Sequence, residues 1–156
     1  MNNLPTAAAT IPEPMQRTNY PAPFASLVAN RTKRKLGDFF GLTNFGVNWT
    51  QLAPGAISAL LHHHAKQDEF IYILEGQPTL VLGEQELQMK PGDCVGFRAG
   101  AGVAHQLVNR SAQIVTYIEV GDRSKGDKVN YPNDDLAVTV AANGNLMFTH
   151  KNGDPY

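Results

Sequence analysis

Between Gly37 and Val120 the chain breaks into short β-rich runs, "NFGVNWTQL", "ISALLHHH", "EFIYILEG", "PTLVLG", "QELQM", "HQLVN" and "QIVTYIEV", separated by Gly, Pro and Asn. Runs this short leave no room for a long 3.6-residue periodicity, and closely spaced strands joined by turns are what remains. The segment is therefore expected to be all-β, a sandwich or a barrel. Within it "PTLVLGEQELQM" reads as a hairpin turning near Gly83 and Glu84, and "PGD" at residues 91–93 as a tight turn.

This patterning divides the chain into three parts. Residues 1–36 hold Pro5, Pro12, Pro14, Pro21 and Pro23, which lack a backbone donor and bias their predecessors toward extended geometry, so an N-terminal arm is expected. At its end "RTKRK", residues 31–35, reads as a solvated basic connector. Residues 37–121 form the barrel. Residues 122–156 are more polar and read as a C-terminal extension folded over it, anchored by Val138, Val140 and Phe148.

A chain of 156 residues fits one domain able to close its own core. A formal net charge of -1 gives no overall pull toward nucleic acid or anionic lipid, so neither is expected as a partner. The single cysteine, Cys94, has no internal partner and suits a reducing compartment. It reads as a small buried thiol. The N-terminus lacks the basic start and apolar core of a signal peptide, and no run is long enough to span a bilayer. The expectation is a cytoplasmic protein.

The chemistry concentrates in "LLHHHAKQDEFIYILEGQ". Side chains alternate across a strand, so His62 and His64 share one face and His63 takes the other. "AKQD" then connects to a strand opened by Glu69, which an antiparallel neighbour brings beside the two imidazoles. Two imidazoles and a carboxylate make a normal set for a divalent transition metal, and His105, on a strand after a glycine-rich bend, is a candidate fourth donor.

These residues resemble the two motifs of the cupin superfamily. The first motif, G-x5-H-x-H-x3-4-E-x6-G, is met by Gly55, His62, His64, Glu69 and Gly76 with one extra residue before His62. The second, G-x5-P-x-G-x2-H-x3-N, is met by Gly92, Gly100, His105 and Asn109, with Arg98 in the usual proline position and two extra residues before His105. The flanking segments look like those of small bacterial single-domain cupins. The resemblance implies a double-stranded β-helix, or jelly-roll barrel, commonly a homodimer. It implies one divalent ion, iron, manganese, nickel or zinc, held by His62, His64, Glu69 and His105.

The same parity places Ile71 and Ile73 on the Glu69 face and turns Phe70, Tyr72 and Leu74 outward. An exposed aromatic row calls for a cover, either the arm or a second subunit, and a homodimer is expected. Phe45 and Trp49 read as core, His150 as exposed or locally bonded, and Gln106 and Arg110 as surface residues. Arg98 also reads as surface, though placed to meet an anionic substrate at the cavity mouth.

Two classes of function follow. One is a metal-dependent enzyme on a small polar metabolite, either a dioxygenase or an isomerase of sugar-phosphate type, with the ion as Lewis acid and Glu69 as ligand or base. The other is a non-catalytic small-molecule binding or sensing module. Neither the ion nor the substrate is named by these residues, because similar donor sets take several metals.

Overall fold

The computed structural model describes residues 4–140 and 145–156. Its strands are β1 (Arg31–Lys35), β2 (Phe45–Leu52), β3 (His63–His64), β4 (Glu69–Glu75), β5 (Thr79–Leu82), β6 (Gln85–Gln88), β7 (Cys94–Phe97), β8 (His105–Val108), β9 (Val115–Asp122), β10 (Lys128–Asn130), β11 (Ala137–Val140) and β12 (Leu146–Thr149). A single α-helical turn, Leu36–Phe39, links β1 to β2. The strands form antiparallel sheets in the orders β1-β2-β9-β4-β7, β12-β11-β10-β3 and β6-β5-β8, a jelly-roll arrangement.

The β5–β6 hairpin turns at Gly83 and Glu84 as expected, with Gly83 at φ 59°, a conformation that glycine adopts without a Cβ penalty. Gly76 is needed for a different reason. A Cβ there would stand 2.7 Å from the Ile114 carbonyl oxygen, so the exit of β4 can lie against the start of β9 only without a side chain. The second-motif asparagine, Asn109, is fully buried and structural. It donates to the Leu52 and Gln113 carbonyls and accepts from Ser111, closing the loop that leads into β9.

One core fills the barrel, built on Leu52, Ile71, Ile73, Leu80, Leu107, Val115 and Tyr117. Ile71 and Ile73 point inward, as parity requires, while Phe70, Tyr72 and Leu74 remain 40%, 41% and 40% exposed. The arm leaves them open. A second, smaller core lies where the C-terminal strands meet the arm, with Phe24, Leu60, Val129, Tyr131, Leu136 and Val138 packed together and Tyr20 and Phe148 against them. The extension is thus a sheet that pairs with β3, anchored by Val138 and Phe148. The side chain of Val140 lies outside what the structure describes.

Four readings of the sequence need correction. "RTKRK" is not a solvated connector but the edge strand β1, paired with β2 from Arg31↔Leu52 to Lys35↔Asn48. "ISALLHHH" is largely bends, with isolated bridges to β8 at Ile57↔Val108 and His62↔His105. Its carbonyls are taken by side chains: the Arg31 guanidinium binds the Ser58 oxygen and Gln106 Nε2 donates to Ala59 at 2.6 Å, so no continuous ladder forms. Phe45 and Trp49 are not core. Both alternate outward on β2, Phe45 at 43% exposure and Trp49 half-buried with the Arg34 guanidinium 5.7 Å above its ring, while Thr50 and Leu52 turn in. Cys94 is exposed, because it pairs with outward-facing Tyr72.

Candidate metal centre

β4 starts with Glu69, opposite Gly121 on β9, and the Glu69 side chain lies over that glycine, 3.8 Å from where a Cβ would stand. His62 and His105 exchange backbone hydrogen bonds of 2.8 and 3.3 Å, so their rings emerge together with centroids 4.7 Å apart. His64, two residues beyond His62, shares its face and pairs through its backbone with Val129 on β10. His63 turns instead toward a small cleft beside Phe97, Arg98 and Val103.

Three imidazoles converge on one oxygen. Glu69 Oε2 lies 3.5 Å from His62 Nε2, 3.5 Å from His64 Nε2 and 2.9 Å from His105 Nε2. Donor atoms of His62, Glu69 and His105 all lie within 4.8 Å of one another, and His64 approaches that triangle through Glu69. Close as these nitrogens are, none is aligned to donate to Glu69 Oε2, which is buried without a hydrogen-bond partner.

For His62 and His64 the outer nitrogens explain why; that of His105 is buried without a partner. His62 Nδ1 is 2.8 Å from the Leu60 carbonyl, an acceptor only, so Nδ1 carries the proton and Nε2 presents a lone pair in the neutral ring. His64 Nδ1 is 2.6 Å from Asp127 Oδ2, which fixes the same tautomer. Asp127 is itself 1% exposed and accepts from the Lys66 and Gln67 amides at 2.7 and 3.3 Å, so one carboxylate sets both the turn and the ring. His105 is held by stacking on Phe97, with parallel rings 3.5 Å apart. Lone pairs facing a carboxylate repel unless a proton or a cation lies between them. The donor set therefore fits a divalent metal, with the Nδ1 partners in the role that orients metal-bound histidines.

Burial opposes ionisation of Glu69, but contacts with His105 and His62 outweigh it and hold its pKa well below the usual range. Burial also opposes a charge on His62, yet the neighbouring Glu69 raises its pKa. In His105 burial prevails over Glu69 and the pKa falls.

The cluster opens into a cavity of about 300 Å³ whose walls include Tyr20, Arg31, Lys33, Glu119, Tyr131 and Phe148. Glu119 Oε1 accepts from Lys33 Nζ at 2.8 Å and from Asn48 Nδ2 at 3.0 Å. Burial disfavours its charge, but Lys33 keeps its pKa below the ordinary value. Burial raises the pKa values of Tyr20 and Tyr131, so both hydroxyls stay protonated.

The structure thus gathers the four residues singled out in the sequence and adds Asp127, Glu119, Lys33, Arg31, Tyr20 and Tyr131. Parity within "RTKRK" and "QIVTYIEV" carried a signal for Arg31, Lys33 and Glu119; nothing local marked Asp127. Arg98 is exposed and lines the small cleft, which shares His64, Gln67, Glu69 and His105 with the main cavity. Arg110 pairs with Glu86 at the surface, and His150 is 2.8 Å from Asp135.

Comparison with known proteins finds relatives of the fold. The Cupin domain family pattern matches residues 48–121. A crystal structure from Silicibacter pomeroyi, named as a sugar phosphate isomerase from a cupin superfamily, is 40% identical with a TM-score of 0.84, covering 89% of this chain and 88% of that one. A protein from Acidithiobacillus ferrooxidans, suggested by its name to be a sugar phosphate isomerase, is 29% identical with a TM-score of 0.72, covering 81% and 80%. A polyketide cyclase from Streptomyces resistomycificus shares the fold at 20% identity and TM-score 0.61, covering 76% and 78%. No curated protein sequence matches the chain. Among the described residues no helix is long and apolar enough to cross a membrane.

Proposed function

This chain belongs to the cupin superfamily, and we propose that it is a metal-dependent isomerase of a small sugar phosphate, with His62, His64, Glu69 and His105 holding one divalent cation. The observation that carries the metal is the buried Glu69 oxygen, faced by three Nε2 atoms and satisfied by none of them. The support for isomerisation is the likeness to the Silicibacter pomeroyi protein together with a second ionised carboxylate in the same cavity.

A bound ion supplies Lewis-acid polarisation of a carbonyl or hydroxyl oxygen. The remaining work falls to the chain. Isomerisation moves a proton from one carbon to its neighbour, and a hydroxyl proton between the two attached oxygens, with no atom gained or lost. Glu69 can take that proton only by leaving the cation. Glu119 needs no such departure: it sits diagonally across the β4–β9 pair from Glu69, roughly 7–8 Å away by backbone spacing, and Lys33 keeps it ionised. Tyr20 and Tyr131 offer protonated hydroxyls for sugar oxygens, and the arm and C-terminal sheet limit access of water.

The test is anaerobic turnover of aldose and ketose phosphates by the protein reconstituted with manganese, zinc or ferrous iron. Interconversion without oxygen supports the isomerase. Oxygen consumption that requires iron would replace it with a dioxygenase, and tight binding without chemical change under every condition would leave a binding module.

A further inference from the structure

β1 alternates like any strand, so Arg31, Lys33 and Lys35 share the inward face, while Arg34 turns out over Trp49. Lys33 is matched by Glu119. Arg31 is not matched. It is only 8% exposed, its guanidinium binds the Ser58 carbonyl, its Nε is buried without a partner, and no carboxylate stands within ion-pair distance of it among the described residues. Glu119 is near enough to feel its charge, but the Glu119 hydrogen bonds go to Lys33 and Asn48. Arg31 and Lys33 thus share one carboxylate.

A buried charge lacking an ionic partner is destabilising unless something compensates it. Arg31 and Lys33 line both the metal cavity and a second cleft of about 310 Å³, which Lys35, Arg17 and Arg123 also face. Asp38 answers Arg123, Glu13 lies 3.5 Å from Arg17, and the backbone amides of Asp68 and Ser124 occupy Asp122. The partition between the two spaces therefore keeps a positive excess centred on Arg31. The planar guanidinium fork suits paired oxygens, phosphate above all.

We propose that Arg31, with Lys33 beside it, forms an anion subsite in this partition and takes the phosphate of a ligand whose other end faces the histidines. This assignment rests on the reading of the cavity as a sugar-phosphate site and adds the position of the phosphate. A purely structural Arg31, clamping the Ser58 carbonyl, would not distinguish a phosphorylated sugar from a plain one.

Calorimetric titration of the full chain with its metal bound, at low ionic strength, separates these roles. The probes are ribose 5-phosphate and fructose 6-phosphate, each against its unphosphorylated sugar. At least one phosphorylated sugar is expected to bind roughly 30-fold or more tighter than its parent. Arg31→Gln should lower that advantage by about 10-fold or more, the scale of a charged hydrogen-bond pair, with metal content unchanged. Arg110→Gln, paired with Glu86 at a 55% exposed surface position outside both spaces, should alter it less than about twofold. If Arg31→Gln fails to fold by thermal unfolding, Arg31→Lys decides the matter, since it keeps the charge but loses the fork and should reduce the advantage several-fold. No phosphate preference, or one that survives loss of the guanidinium, overturns the subsite. An Arg31-dependent preference without interconversion would overturn the isomerase and leave the subsite standing; interconversion without that preference would do the reverse.

Discussion

The two ends of the barrel are built on the same strands and differ in almost everything else. Toward the closed end, β2, β4 and β9 turn Leu52, Ile73, Val115 and Tyr117 inward, all fully buried. Two to four residues along the same faces, toward the open end, they present Asn48, Glu69 and Glu119. β8 repeats the change within one step of its alternation, from Leu107 to His105. Alternation decides which side chains enter the barrel, and position along the strand decides whether they meet core or cavity. A shift of one residue in register would exchange interior for exterior along a whole strand, so the core that fixes register also fixes where the donors meet.

If the ends are energetically separate, truncating the closed one should unfold the protein without emptying the other. Ile73→Ala is expected to remove about 3–4 kcal/mol of stability in urea unfolding while the folded fraction keeps its metal, because the change leaves a cavity in the core and touches no donor. Equal loss of metal from folded protein would show that the ends are coupled.

The converse change lies at the open end. Asp127→Asn keeps the size of the group that orients His64 but removes its charge, and metal affinity measured against a competing chelator should drop about 10- to 100-fold. An unchanged affinity would mean that the His64 tautomer does not need its partner.

How far sequence reached follows the same division. Parity placed Glu69, Ile71 and Ile73 together correctly, because β4 is regular and its apolar alternation is local. Parity likewise pairs His62 with His64, and His105 stands out on a strand after a glycine-rich bend. β1 was missed because a run of charges has no apolar alternation to reveal it, and its pairing with β2 is long-range. "ISALLHHH" looked like a strand, but its ladder is interrupted by Arg31 and Gln106, two side chains remote in sequence. Phe45, Trp49 and Cys94 are hydrophobic yet face outward, because parity on a sheet with an apolar outer face, and not hydrophobicity, decides their burial. Asp127 is 63 residues from His64, and only the folded extension joins them.

That outer face sharpens the comparison from outside. We propose that a second copy of the chain covers Phe70, Tyr72 and Leu74, since a contiguous apolar row on a sheet is an interaction surface. Tyr72→Glu should shift sedimentation from two chains to one. An unaltered sedimentation profile would remove this face from the interface.

Acid should act more weakly, through Glu119. Its folded pKa lies below the ordinary value of 4.5, so ionisation contributes stability that is present above that value and lost as pH falls through the folded one. The stability difference between wild type and Glu119→Gln, followed by urea unfolding, should shrink on acidification below pH 4.5. A constant difference would mean that Lys33 does not hold the carboxylate.

The most direct measurement is the metal content of the full chain purified without chelator or affinity tag. Four convergent donors require about one divalent ion per chain, lost on His105→Ala or His62→Ala and retained within about twofold on His63→Ala. A chain that stays metal-free when offered manganese, iron, nickel and zinc, or equal content in all three variants, would contradict the site.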